Sequence, residues 1–589
     1  MALPFARRLA AAAAITMMLV APAFARAGTT DLGPNVKIFD PSMPQTAIQA
    51  QLDAIAAQQI PNEFGSQRYA VLFEPGTYGS PEHPLNFQVG YYEQVAGLGA
   101  RPGDVQIYGT ADVYNQNGLA LTNFWRSLEN LTIDVAGKGG CQSGEFWAVS
   151  QASPMRRVDV NGQTTLMDYC TGPSYASGGF IADSTLDTVI NGSQQQWLTR
   201  NSTVGNWTNS VWNQVFAGVV GAPPPDFGNG AQYTVLPTNP ESREAPFIYD
   251  DGGGYAVYVP AVQRNSAGPT WLTGQTPGRS VPLGSFYVAH PGDSEQQIDN
   301  ALSRGMNLLF TPGVYDIDRT IRIKRADTIV LGLGMATLTA QNGAVAMSVD
   351  DVPGVEISGL IFDAGAVNSP VLLQVGTANE HGRGHGGFSD ANDPTLLADV
   401  FFRIGGPHVG KATTALEVNS SDTIIDDIWA WRADHGSGVG WTSNTSDHGV
   451  VVNGDRVLAT GLFVEHFQKD EVVWNGESGE TIFFQNEMPY DPPTQDAWEH
   501  DGILGYAAYK VADTVTTHEA WGMGSYCFFN VNPSIHATHS FEVPTTPGVQ
   551  LHNVFDLSIS NTGTIDHIVN DVGPPTPPDT TPNDLVAYP

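Results

Sequence analysis

Short apolar runs, punctuated by glycine, asparagine and aspartate, recur along the chain. Thr328–Leu333, Val355–Phe362, Thr423–Trp431, Arg456–Phe467 and Glu480–Met488 are rich in the β-branched and aromatic residues that suit a pleated, half-buried surface. Where these runs follow one another regularly, they step by about 20–25 residues, the period of one coil of a parallel β-helix. Two segments break the pattern. Gln45 to Ala57 and Glu295 to Leu302 carry helical amphipathicity and predict short helices.

The two predicted helices open two copies of one architecture. Leu72-Phe-Glu-Pro-Gly-Thr-Tyr78 matches Leu309-Phe-Thr-Pro-Gly-Val-Tyr315. Gly97-Leu-Gly99 matches Gly332-Leu-Gly334, and Leu128 to Asp134 matches Ile357 to Asp363. The offset shrinks only slightly from the first match to the last. Three matches in one order, with a slowly drifting offset, imply a duplication. A helix before the first coil covers an edge that would otherwise pair with another chain. A sandwich or propeller is disfavoured because Asn-Gly hairpin punctuation at short, regular spacing is missing. The expected layout is a signal segment over residues 1–27, a first β-helix over 28–217 and a connection over 218–282. A second β-helix over 283–572 and a Pro-rich extended tail over 573–589 follow. The connection holds Phe247, Tyr249, Tyr255, Tyr258 and Trp271, too many aromatics for a solvated tether, so it should be an extended, partly strand-forming segment packed over the surface.

Composition narrows the function. The chain has 60 acidic and 26 basic residues, for a net charge of −34. That argues against an electrostatic nucleic-acid binder and against adsorption to anionic lipid. Arg7-Arg8, the apolar run Leu9 to Val20 and Ala23-Phe-Ala25 form a secretory signal, with cleavage near Ala25 or Ala27. No later apolar run is long enough to span a bilayer. An exported, monomeric protein is expected. Of the three cysteines, Cys141 and Cys170 either bridge in an oxidising compartment, leaving Cys527 single, or all three are buried thiols.

The candidate chemistry centres on Asp455 to Asp491. Glu465 and Glu487 stand in the runs FVEHF and FFQNEMPYD, separated by the length of one regular coil. That separation puts them on one face, one rung apart, where strands are about 4.8 Å from each other. Neighbouring carboxylates raise one pKa, as a general acid at neutral pH requires. Trp429 and Trp431 share one face of a strand, either as core or as a sugar platform. His381 and His385 sit in a Gly-rich loop without a carboxylate cluster, which is weak metal-ligand evidence. No metal and no cofactor are expected. Asp426-Asp427, Gly384-His-Gly386 and Arg322-Ile-Lys324 imitate polygalacturonase motifs, but their order is reversed and no Asn-Thr-Asp motif accompanies them. In the first copy, Trp147-Ala-Val-Ser-Gln151, Ser177-Gly-Gly-Phe180 and Asn191 to Trp197 offer amides and hydroxyls. Those groups either line a cleft or ladder inside a β-helix.

FVEHFQKDEVVWNGESGETIFFQNEMPYDPP, WAVSQASPMRRV, SGGFIADS, NGSQQQW and DIWAWRADHG together resemble glycoside hydrolase family 55, the exo-β-1,3-glucanases or laminarinases. The resemblance implies an all-β fold of two tandem right-handed parallel β-helices side by side, with the active site between them. It implies that Glu487 is the general acid and Glu465 its partner near the attacking water, with Gln151 and Ser177 from the first β-helix. Gln194 to Gln196 compete with Gln151 for its role. Trp429, Trp431, Tyr490 and Gln195 would contact the sugar. Glu471 and Glu477 depart from the pattern by adding charge between the two key residues. The implied reaction is release of glucose from β-1,3-glucan chain ends with inversion. A β-helix polysaccharide lyase, another glycanase and a non-catalytic glycan-binding protein are the alternatives.

Overall fold

A computed structural model describes residues 31–193, 195–209, 211–377 and 389–589. The expected signal segment, Gln194, the His381/His385 loop and Gly384-His-Gly386 lie outside the described residues. The two α-helices among the described residues are Gln45–Gln59 and Glu295–Ser303. Both were legible in the apolar spacing.

The other described residues form strands, loops and short 3-10 turns. The first half forms a 15-stranded sheet system, and the second half forms a 12-stranded and a 9-stranded sheet. In all three, the described pairings are parallel, with one exception. Asn583–Tyr588, from the expected tail, forms a strand antiparallel to Val549–Ser558. The Pro-rich segment therefore returns to close the sheet. The connection is strand-forming in part, as expected. Tyr233–Leu236 continues the first parallel stack, and Phe247–Asp250, Tyr255–Pro260 and Gly278–Pro282 form an antiparallel sheet. Cys141 and Cys170 form a disulfide, while Cys527 is buried and free.

Each long strand of the second half carries apolar groups on both faces. Ile428 and Ala430 point into its own core with Leu462, Val464 and Phe484. Trp429, Trp431 and Phe463 point the other way, into a cluster shared with Tyr92, Trp125 and Phe180 of the first half. Period-two alternation thus divides one strand between two cores. A sheet buried on both faces reads as a nearly continuous apolar run. This explains why these segments are so rich in large hydrophobes.

One residue per strand breaks the ladder at a shared level. Gly359, Asp399, Asp427, Gly461, Phe483, Gly522 and Asn553 all have positive φ, and the pairing register skips each of them. A left-handed residue bends the strand locally. Stacked, these residues bend the whole sheet along one line. Two of the glycines also admit the first half. A Cβ on Gly461 would lie 2.8 Å from the Phe180 ring, and one on Gly522 would lie 2.3 Å from Val215 Cγ2. The stretches after the bend carry the site.

Candidate active site

One register row crosses the sheet beyond the bend. Arg403 pairs with Trp431, Trp431 with Glu465, Glu465 with Glu487, and Glu487 with Tyr526. The spacing of the two glutamates is therefore one rung, as expected. Both sit at the last residue of their strands, Leu458–Glu465 and Gly479–Glu487, and both are buried. Parallel strands stack like positions directly over one another, so a row of adjacent strand ends concentrates functional groups without any sequence proximity.

The first half completes the surroundings of Glu465. Gln151 Nε2 donates to Glu465 Oε1 at 2.7 Å, across 314 residues of sequence. Trp429 Nε1 donates to Oε2 at 2.8 Å. Tyr490 Oη donates to Glu487 Oε2, and Gln485 Nε2 donates to Oε1 at 3.3 Å. All four carboxylate oxygens thus face neutral donors. His466 follows Glu465 with a left-handed φ of 70°. This strained backbone aims its ring at the acid. Its Nδ1 meets the Met488 carbonyl at 3.2 Å, which only accepts, so Nδ1 carries the proton. Nε2 then lies 3.7 Å from Glu487 Oε2. Burial raises the pKa of both glutamates. For Glu465 the Glu487 charge adds to that rise. For Glu487 the nearby His466 opposes it.

Glu465, His466 and Glu487 each offer an atom within 4.8 Å of the others, a spacing open to a metal reading. A bound zinc would draw such ligands to about 2.0–2.2 Å from itself. Here every carboxylate oxygen already accepts an N–H or O–H, so the donor set suits proton transfer rather than coordination.

These groups open into a cavity of about 740 Å³. Phe124, Gln151, Tyr175 and Ser177 supply one wall from the first half. Trp431, Asp434, His466, Glu487, Tyr490 and Tyr526 supply the other. Such a volume suits a chain-end segment of a glycan. Trp431 stacks at 5.2 Å on Trp429 and lies parallel to Phe64 at 6.4 Å.

The structure brings together Glu465, Glu487, Gln151, Ser177, Trp431 and Tyr490. Two expected sugar contacts are placed elsewhere. Trp429 is fully buried and does not line the cavity. Its N–H holds Glu465, so it orients the carboxylate instead of offering a platform. Gln195 is also fully buried, with Nε2 donating to the Leu166 carbonyl at 2.6 Å inside the first stack. Gln196 is buried in the same strand region, so among the described first-half candidates it is Gln151 that reaches Glu465. Glu471 is buried and accepts from the Phe467 backbone N–H, while Glu477 accepts from Thr516 and Thr517 on the outside. Neither lines the cavity.

Asp434, His435, His466, Gln485 and Tyr526 were missed as site residues. Asp434 and His435 directly follow the Trp429-Ala-Trp431 strand, and His466 directly follows Glu465, so adjacency was a usable signal. Tyr526 had none: an insertion lengthens the turn that joins Glu487 to it, although the two are register partners.

Aspartates on the same strands have a different setting. Arg200 bonds Asp426 at 2.6 and 2.8 Å and Glu244 at 2.5 and 2.9 Å. Arg156 bonds Asp399 at 2.7 Å and Asp426 at 2.8 Å. This network lies on the seam between the halves, away from the cavity. Asp426 is a fastening of the two halves, whereas its neighbour Asp427 is buried at the bend and bonds neither arginine.

Two buried carboxyl groups on adjacent rungs, held by neutral donors at a glycan-sized cavity, define a site of the glycoside-hydrolase class in an all-β, pectate-lyase-like protein. Residues 286–487 match the LAM55 pectate lyase-like domain, a range that ends on Glu487. The chain is 50% identical over 566 residues to an exo-β-1,3-glucanase of Streptomyces sp. (strain SirexAA-E / ActE), covering 95% of this chain and 90% of that one. It superposes on the structure of sacteLam55A from Streptomyces sp. SirexAA-E with a TM-score of 0.89, covering 95% of this chain and 100% of that one. A variant of sacteLam55A in complex with glucose gives a TM-score of 0.91, over 95% of this chain and 99% of that one. The chain belongs to the Lam55 family, glycoside hydrolase family 55.

Proposed function

We propose that this protein is a secreted, monomeric exo-β-1,3-glucanase that releases glucose from the ends of laminarin-type glucans. It is built, in this reading, from two tandem right-handed parallel β-helices, with the boundaries expected above extended to include Tyr233–Leu236 and the C-terminal strand. The observation that carries the reading is the Glu465/Glu487 rung with Gln151 reaching in from the other half. The exo-β-1,3-glucanase named above and the glucose complex of sacteLam55A support the substrate.

In the mechanism, Glu487 protonates the glycosidic oxygen. Burial raises its pKa above the ordinary carboxylate value, the direction a general acid needs. Glu465, fixed by Gln151 and Trp429, takes the proton of an attacking water in the space beside Ser177. The leaving sugar departs with the proton from Glu487, and Glu465 holds the one removed from water. Inversion calls for carboxyl groups about 6.5–9.5 Å apart, and retention for about 5–5.5 Å. An oxygen of Glu465 lies within 4.8 Å of one of Glu487. Inversion therefore requires a side-chain rotation that parts them as the sugar enters. Retention, with Glu465 as nucleophile, is the second reading, and that short separation favours it.

Proton NMR during laminarin hydrolysis tests activity, exo release and stereochemistry together. The expected first product is α-glucose. β-Glucose would select retention, and an unsaturated product absorbing in the ultraviolet would show a lyase.

A further inference from the structure

The seam between the halves carries one cationic ring at the cavity. His435 Nδ1 meets Asp434 Oδ1 at 2.7 Å, and its Nε2 meets Glu63 Oε1 at 2.9 Å. Glu63 comes from the first half, 372 residues away. Both ring nitrogens have carboxylate partners, so the ring is held as an imidazolium by two acceptors. Phe64, Phe124 and Trp431 surround it at 5.6, 6.4 and 5.1 Å between ring centres. The loop carrying Glu63 is itself tied down, because Tyr92 Oη donates to the Glu63 carbonyl at 2.5 Å.

Both Asp434 and His435 line the catalytic cavity, and neither has a role in the mechanism above. Asp434 uses Oδ1 for the imidazolium, so that bond decides where its charge stands. We propose that Glu63 is a positioning residue for glycan hydrolysis: through His435 it holds the Asp434 carboxylate at the cavity wall beside Glu487. The proposal deepens the glucanase reading and rests on Glu487 as the acid.

The consequence is electrostatic. Five titratable neighbours face Glu487 besides Asp434: Glu465 on the adjacent strand, His466, buried Glu471, Tyr490 and Tyr526. The Asp434 charge makes loss of the Glu487 proton harder, and the His466 ring makes it easier. A fixed Asp434 therefore extends the proton-bearing state of Glu487 to higher pH. If the latch opens, Asp434 gains freedom, its mean distance from Glu487 grows, and Glu487 loses its proton at lower pH.

The test is the pH profile of kcat/KM on laminarin for the full chain, with thermal melting in parallel. Glu63→Ala should move the basic limb down by roughly half a pH unit and lower kcat/KM near neutrality about threefold. Glu63→Gln keeps an acceptor for His435 Nε2 but removes the charge, so it should restore the parental limb. Glu63→Ser, whose hydroxyl is too short to reach the ring, replaces the alanine variant if that one does not fold. An unmoved basic limb in the Ala or Ser variant overturns the proposal, even where the melting temperature falls. A Gln variant shifted as far as Ala also overturns it, because charge alone would then account for the effect. Glu487→Gln run alongside separates the two claims. If that variant keeps full activity, the assignment of the acid fails, whatever the Glu63 variants do.

Discussion

Two sets of buried carboxylates stand on the same sheet, on either side of its bend, and have opposite electrostatics. On one side, Asp426 lies between Arg156 and Arg200, and burial is outweighed: its pKa falls below the ordinary carboxylate value. On the other side, Glu465 and Glu487 meet only amide, indole, phenol and imidazole groups, and burial drives their pKa values up. Depth does not distinguish the two sets. The presence of a guanidinium does. In these two sets, the guanidinium pair makes a fastening, whereas carboxyls without one keep raised pKa values and are available for proton transfer. The comparison also explains why Asp426, half of a string that imitates a catalytic motif, fastens the two halves instead.

The largest effect that could break this contrast is at Glu487. Glu487→Gln keeps the shape and removes the transferable proton. Laminarin hydrolysis should fall about a thousandfold, the scale of lost general acid catalysis, with an unchanged circular dichroism spectrum. Activity within tenfold of the parent would move the acid elsewhere. Glu465→Gln should fall comparably.

Asp426 should behave in the reverse manner. Asp426→Ala leaves Arg156 and Arg200 buried at the seam with one partner fewer, and breaking a buried pair in this way costs about 3–5 kcal/mol. The protein should unfold at distinctly lower denaturant, while the folded fraction keeps a KM for laminarin close to the parent. A variant as stable as the parent but inactive would place Asp426 in the chemistry and erase the distinction drawn above. The pH dependence has the same origin. Asp426, with its depressed pKa, contributes stability that is present above its unfolded value of about 3.9 and is lost as pH falls through the folded value.

Trp429 sharpens the contrast at smaller scale. Trp429→Phe keeps the ring in the seam cluster but removes the N–H that holds Glu465 Oε2. A hydrogen bond to a charged group contributes about 1.5–3 kcal/mol. The expected result is a kcat roughly tenfold lower with little change in KM. A raised KM at constant kcat would return Trp429 to the sugar-platform role that its burial argues against.

How much of this was legible in the chain follows from where insertions fall. The Glu465–Glu487 turn carries no insertion, so its length announces one rung. The neighbouring turns, from Trp431 to Glu465 and from Glu487 to Tyr526, are both longer, though each also joins register partners. Their loops erase the period, and Tyr526 disappears with it. The duplication and both helices survived because they depend on local strings. Gln151 was reachable only by resemblance, since no spacing rule joins residues of different halves. Trp429 was placed on the right face by alternation, but alternation cannot say whether that face meets sugar or the other half of the protein. Glu63 left no signal, because an isolated acidic residue in a loop is ordinary until the fold brings a histidine to it.

The smallest expected effect is thermal, and it tests the raised pKa values without substrate. A carboxyl whose folded pKa is raised binds a proton that the unfolded chain has already released. Stability therefore falls as pH rises from the unfolded value, about 4.3 for glutamate, toward the folded one. Glu487→Gln removes that penalty for one member of the pair. The inactive variant should therefore melt above the parent at pH 7, and the difference should shrink as the pH is lowered toward 4.5. Asp426→Ala should melt below the parent at pH 7, with a difference that holds down to about pH 3.9 and shrinks only below it, as Asp426 gains its proton. The two variants would then bracket the parent from opposite sides, both converging in acid. If Glu487→Gln melts below the parent at pH 7, its carboxylate is a net fastening like Asp426, and the guanidinium criterion for telling the two sets apart is wrong.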